Sequence, residues 1–259
     1  MSLVMNPDPR GLRHVWRLFF VRNRENPGGF GVYYAIIAGQ LLVLAAAGLQ
    51  TSVPLERLFR DTIAVAEEYP GCCHVYDGLI SNLGILLWWA AASITGFAAL
   101  TAAGLSCRRY EILALAMAAA FSAWLAMDDL FMLHESVLPL IGFTQPMTYA
   151  LYGLIAAAYI ALSWRVVLMA SPLLLAMAIA MLGASVSVDI LADHDLGAVS
   201  AWLGANPRIG ILLDDGLKFL GIGFWFCLHM AAARAVITNA VRSRPQARPA
   251  CPGPQGRGD

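Results

Sequence analysis

Six long runs of apolar residues dominate the chain, each parted from the next by a short polar segment. They fall at about 30–49, 78–105, 111–133, 146–164, 167–190 and 209–232. Each is near or above the ~20 residues that an α-helix needs to cross a bilayer core. The second is long enough to tilt. The predicted fold is therefore all-α: a polytopic membrane bundle of six transmembrane helices. Ahead of it, residues 13–22 mix arginine with Trp16, Leu18, Phe19 and Phe20, a pattern that suits a helix lying on the membrane surface. Residues 1–29 are read as an interfacial cytoplasmic arm without a cleavable signal peptide. The membrane domain is assigned to 30–235 and a disordered cytoplasmic tail, rich in proline, arginine and glycine, to 236–259.

Composition supports the class. The 259 residues are 59% hydrophobic and 13% charged, with a mean hydropathy of +0.65. Soluble domains carry about 25% charged residues. The formal net charge of +0 gives no reason to expect a nucleic-acid partner. The expected partners are membrane lipids and a lipid-like substrate, and a homo-oligomer is compatible with the composition.

The arginines set the orientation. Arg10, Arg13, Arg17, Arg22, Arg24, Arg108, Arg109, Arg165, Arg234, Arg242, Arg244, Arg248 and Arg257 all fall on one side of a six-span layout. Only Arg57, Arg60 and Arg208 fall on the other. Basic loops stay in the cytoplasm, so both termini are expected there, in a bacterial inner membrane. The opposite side holds most of the acids, and several lie inside the spans, where insertion bias alone does not explain them.

Three constellations follow. Residues 128–135 read Asp-Asp-Leu-Phe-Met-Leu-His-Glu. On a continuous helix, residues seven apart differ by only ~20°, so Asp128 and Glu135 share a face while Asp129 and His134 point elsewhere unless the helix end unwinds. The exit of the fifth span carries Ser185, Asp189, Asp193, His194 and Asp195, the first three spaced by four. The sixth span opens with Asn206-Pro207, an N-cap followed by proline at the first helical position. It then places Asp214, Lys218, Gly221 and Trp225 on one face, with Asp215 alongside. Lys218 is the only lysine in the chain. Aspartate four residues before lysine favours an intrahelical ion pair. The bland alternatives are helix-end solvation for His134 and Glu135, and a structural salt bridge for Lys218. Gln40 is expected to hydrogen-bond a neighbouring helix, and Asp77 to join the acidic group or cap the second span. Cys72-Cys73-His74 is a weak signal: adjacent cysteines are poorly placed to bond each other.

Seven carboxylates, Asp77, Asp128, Asp129, Glu135, Asp189, Asp214 and Asp215, are expected to converge around Lys218. They cannot all ionise together in a low dielectric with so little positive charge. Either several stay protonated, as along a proton or ion pathway, or a divalent metal sits among them. Oxygen ligands favour Mg, Mn or Ca, and adding His134 or His194 moves the preference towards Zn or Fe. The predicted metal ligands are Asp128, His134, Glu135, Asp189, His194, Asp214 and Asp215. Asp129 is the predicted general base, and Lys218 the group that steadies an anionic intermediate.

The Asp-Asp-x4-His-Glu of 128–135 and the Asp-Asp-x2-Lys-x2-Gly of 214–221 resemble a group of uncharacterised bacterial polytopic proteins, a likeness that implies no activity. A second resemblance is to alkaline ceramidase-like membrane hydrolases, which implies a Ser/His/Asp-rich zinc site, although the paired histidines of their last span are missing here. The Asp214–Lys218 spacing also resembles microbial rhodopsins, but those have seven spans and an arginine on the third. Three function classes remain: a metal-dependent membrane hydrolase acting on a lipid or lipid-linked substrate, an ion- or proton-coupled transporter or channel, and a structural or assembly subunit with a buried polar network.

Overall fold

The structure is a computed structural model that describes residues 27–69, 71, 73–193 and 197–243. Among these residues all regular structure is helical. The predicted arm and tail lie mostly outside the described residues, as do Cys72, His194 and Asp195.

Six helices are long and apolar enough to cross a membrane. They are α1 (Pro27–Leu49), α4 (Leu79–Gly104), α5 (Arg109–Phe131), α6 (Gln145–Ala170), α7 (Pro172–Asp193) and α9 (Pro207–Arg242). Short helices α2 (Leu55–Phe59) and α3 (Thr62–Glu68) fill the loop between α1 and α4, and α8 (Ala198–Ala205) precedes α9. The last helix overruns its predicted end by ten residues, 232 against Arg242. Alternating apolar and small polar residues continue there as Ala-Val-Ile-Thr-Asn-Ala-Val, with no glycine or proline to stop the helix.

The hub is α9. Of its apolar stretch 67% is buried, against 17% for those of α1 and α7. It packs against α7, α4, α1 and α6, while α5 pairs mainly with α4. Small residues let these helices approach closely. At Gly221 an added Cβ would lie 2.7 Å from Leu182 of α7, and at Gly223 only 1.8 Å from the Gln40 amide oxygen of α1. Gln40 is buried there and donates Nε2–H to the Phe219 carbonyl at 2.7 Å.

The middle of the bundle is an aromatic layer. Trp88, Phe121, Tyr159 and Trp225 pack together at ring separations of 5.7–6.3 Å. Trp225 is thus a core residue, donating its indole N–H to Ser122 Oγ at 2.9 Å. His229 completes the layer. It lies between the Trp225 carbonyl at Nδ1 and the Tyr159 hydroxyl at Nε2 (2.7 and 3.0 Å), so both ring nitrogens have partners. An imidazole held this way is satisfied as a neutral group.

Candidate functional site

α5 does not run through to Glu135 as a continuous helix. It stops at Met132, whose backbone adopts the left-handed conformation (φ 50°). A side-chain-bearing residue there costs about 1–2 kcal/mol. A single π-helical turn, Leu133–Val137, follows, then a 3-10 turn, Leu138–Ile141. Strained residues and π turns tend to mark functional sites. Here the reversal swings His134 back over its own helix. Its backbone N–H donates to Asp128 Oδ1 at 3.0 Å, and its ring Nδ1 lies 2.8 Å from Asp128 Oδ2. That contact is within ion-pair range but off-line for a hydrogen bond, which leaves Nδ1 buried without a hydrogen-bond partner. Nε2 lies 3.3 Å from Glu135 Oε1. Asp128 is therefore joined to His134 by the broken helix, whereas the continuous-helix expectation paired Asp128 with Glu135.

Asp128, Asp129 and His134 are buried, with 3%, 8% and 6% of their surface exposed. They offer ligand atoms that all lie within 4.8 Å of one another. Asp128 also accepts from the Tyr152 hydroxyl at 2.9 Å. Asp129 accepts from the Trp88 indole at 3.0 Å and pairs with Lys218 Nζ at 2.9 Å. Lys218 thus crosses from α9 to α5, and the expected intrahelical pair with Asp214 does not form. Asp129 gathers two donors from other helices, the Trp88 indole of α4 and the Lys218 ammonium of α9. Asp214 instead accepts from Ser185 Oγ of α7 at 3.0 Å.

In front of this group lies a cavity of about 220 Å³. Its acidic lining is Asp61, Asp129, Glu135, Asp189, Asp214 and Asp215, and its cationic lining is Arg60 and Lys218. Carboxylates from α5, its broken end, α7 and α9 do meet, as the sequence predicts. Asp189 is held by the Tyr149 hydroxyl and the Gln145 amide of α6, at 2.5 and 3.0 Å. The side chain of Asp193 and all of His194 lie outside what is described.

Asp77 departs from the prediction. Arg57 of α2 holds both its oxygens at 2.7–2.8 Å, and the His74 backbone N–H adds a third donor. The Arg57 hydrogen bonds, then the His74 bond, hold its carboxyl below the usual carboxylate range. The reason is topological. Residue 78 turns in the left-handed region (φ 70°), which only glycine adopts freely. That turn directs Asp77 back under α2 and away from the cavity. Cys73, just before it, is disulfide-bonded.

Asp61 takes the vacated place. It precedes α3, receives the Ser81 hydroxyl of α4, and lines the cavity. Burial raises its carboxyl above the ordinary range, offset in part by Lys218 and Ser81. At the broken end of α5, His134 bonds to Glu135 and draws the Glu135 carboxyl below its ordinary range, against burial. Burial opposes protonation of His134 too, but its two carboxylate neighbours outweigh that and lift it to about 10. Without a metal, His134 is an imidazolium between Asp128 and Glu135.

Sequence reasoning passed over Asp61, Tyr149, Tyr152 and Trp88. Asp61 stood among loop acids, and the tyrosines sit where an aromatic interface belt is expected anyway. His229 did carry a signal, as an ionisable residue inside an apolar run.

A family profile described as a domain of unknown function, DUF8692, matches residues 34–232. The chain belongs to the DUF8692 family. The matched region takes in four complete spans, most of α1 and of α9, and every cavity residue named above. No curated protein and no solved structure matches the chain.

Proposed function

We propose that this DUF8692 protein is a metal-dependent membrane hydrolase acting on a lipid or lipid-linked substrate at one face of the bilayer. The observation that carries this reading is the Asp128, Asp129 and His134 group, three buried donors within 4.8 Å of one another beside a cavity with a large acidic excess. A divalent cation would neutralise that excess and displace a proton from His134, whose ring nitrogen beside Asp128 would then serve as a ligand. Two carboxylates and one imidazole suit Zn, Mg or Mn in different degrees, with the imidazole favouring Zn.

A three-residue ligand set leaves a position for water, whose pKa a bound metal lowers. Asp129, first read as the base, is better cast as a ligand, because it belongs to the three-donor group with Asp128 and His134. Glu135 is our choice for the proton acceptor, being exposed, at the cavity wall and next to His134. Lys218 would then steady negative charge developing on the substrate. Asp189, Asp214 and Asp215 complete the acidic wall as further ligands or proton acceptors.

A transport reading finds less support. Among the described residues the cavity is floored by Phe219 and Ile222, and the aromatic layer closes the bundle behind them. The arginine distribution supports an outer-face position for the cavity, with both termini in the cytoplasm of a bacterial cell. Elemental analysis of the detergent-purified full chain tests the proposal, together with turnover on a panel of lipid esters, amides and phosphoesters. About one metal per chain is expected, lost in Asp128→Asn and His134→Ala along with hydrolysis. A chain that carries no metal and takes up none on loading refutes it.

A further inference from the structure

At the opposite end of the bundle from the acidic cavity, α4 and α9 enclose a second groove, of about 520 Å³. Both helices run from cavity to groove. Ser81 and Lys218 line the first, and Phe97 and Arg234 the second. Its walls are apolar, with Ile94, Phe97, Met230 and Ile237 prominent. A groove of this kind on a bilayer-facing surface accommodates an acyl chain.

One residue sets this groove apart. Arg234 lies inside a membrane-crossing helix, eight residues or ~12 Å before its end at Arg242. It is exposed, beside the Tyr33 hydroxyl of α1. No described carboxylate lies within ion-pair distance of it. With 36 residues, α9 is longer than the ~20 that a bilayer core needs, and Arg234 lies two residues past the predicted 209–232 span, near the level of anionic headgroups. The same end of the bundle carries Arg108 and Arg109, just after α4, and Arg242, closing α9. Among the described residues, Glu111 is the carboxylate at this end and its contacts are with Arg108 and Tyr110, whereas anionic headgroups of the bilayer are at hand to meet Arg234.

We infer that this groove is a binding site for an anionic phospholipid, with one acyl chain between α4 and α9 and the headgroup phosphate on Arg234. The site is independent of the proposed hydrolase chemistry. It lies about 24 Å along α9 from Lys218, sixteen residues away. The ligand is a resident lipid of the leaflet that borders the groove.

The test uses delipidated full-length protein in detergent, titrated with phosphatidylglycerol or phosphatidylcholine and read by native mass spectrometry. Wild type should retain phosphatidylglycerol in preference to phosphatidylcholine. Arg234→Gln should weaken phosphatidylglycerol retention about fivefold, the effect of one basic side chain at a membrane surface, and abolish the preference. Arg234→Lys should keep most of it. Ser93→Trp, at an exposed groove position, should weaken both lipids by filling the chain's place. Equal retention of the two lipids by wild type overturns the inference, as does an undiminished preference in Arg234→Gln. Unchanged binding in Ser93→Trp places the chain elsewhere and overturns it too.

Discussion

Gly223→Ala should destabilise the protein by displacing the Gln40 amide, its nearest neighbour. An ideal Cβ there lies 1.8 Å from Gln40 Oε1, 2.4 Å from Cδ and 2.6 Å from Nε2. Non-bonded heavy atoms need roughly 3.5 Å, so the whole amide must retreat. Retreat breaks the 2.7 Å bond to the Phe219 carbonyl. Leaving a buried polar group unsatisfied costs ~1–3 kcal/mol, and overpacking costs ~1–3 kcal/mol more. The expected loss is therefore roughly 2–6 kcal/mol, or an apparent Tm lower by roughly 4–24 °C for a chain of this size. The bond itself is the smaller part, since interhelical hydrogen bonds in membranes average about 0.6 kcal/mol. The assay is thermal unfolding in detergent of the single and double variants with Gln40→Ala. With the amide gone, that clash is absent, and Gly223→Ala should cost clearly less than it does beside Gln40. Additive losses in the double variant would show that the clash with Gln40 is not what makes glycine necessary there.

Three further outcomes follow from the same geometry. Lys218→Met should raise the affinity for Mn²⁺ by at least about tenfold, or 1.4 kcal/mol, because the ammonium 2.9 Å from Asp129 competes with a cation; a weaker Mn²⁺ titration would oppose this. Gly78→Ala should lower Tm, because the new Cβ meets Thr62 Oγ1 at 2.6 Å in a left-handed backbone, and the strain alone costs about 1–2 kcal/mol; an unchanged Tm would remove Gly78 as the pivot between α3 and α4. The Arg57–Asp77 clasp should resist acid. Its carboxyl lies lower in the folded protein than in the unfolded chain, so its stabilisation is complete above the unfolded value of about 3.9 and fades only as pH falls through the folded one. Proteolysis of the 69–78 loop that stays constant from pH 8 to about 5 and rises only in stronger acid would fit; an onset near neutrality would not.

The spans were plain in the sequence because apolar length is a one-dimensional property. Five of the six helices end within a few residues of where polar residues interrupt the runs, or somewhat beyond, and only α9 runs far past its predicted end. The meeting of Asp129, Asp189, Asp214 and Asp215 was also legible, since burying charge near the ends of apolar helices leaves few arrangements. What could not be read was anything that depends on how the chain turns. The reversal at Met132 uses a residue with no preference for a left-handed backbone, so nothing announced that His134 folds back onto Asp128. Lys218 had an attractive partner one turn away, and local spacing could not reveal Asp129, 89 residues earlier in the chain. Asp61 and Asp77 exchanged their expected places because a glycine turn decides which of two nearby loop acids faces inward. Asn206 opens α9 as expected, yet its side chain bonds back to the Trp202 carbonyl at 2.9 Å rather than capping the helix.

The hub position of the last helix bears on how the protein is made. The first five spans emerge from the ribosome before the segment around which they pack. Until α9 inserts, Asp129 lacks its lysine and Gln40 lacks the carbonyl it grips. A nascent chain halted before residue 207 would hold its acidic turn with no cationic partner from the final span. Assembly then becomes a late, concerted closure triggered by one segment, and a membrane chaperone that recognises unmet polar groups would find its client in that interval.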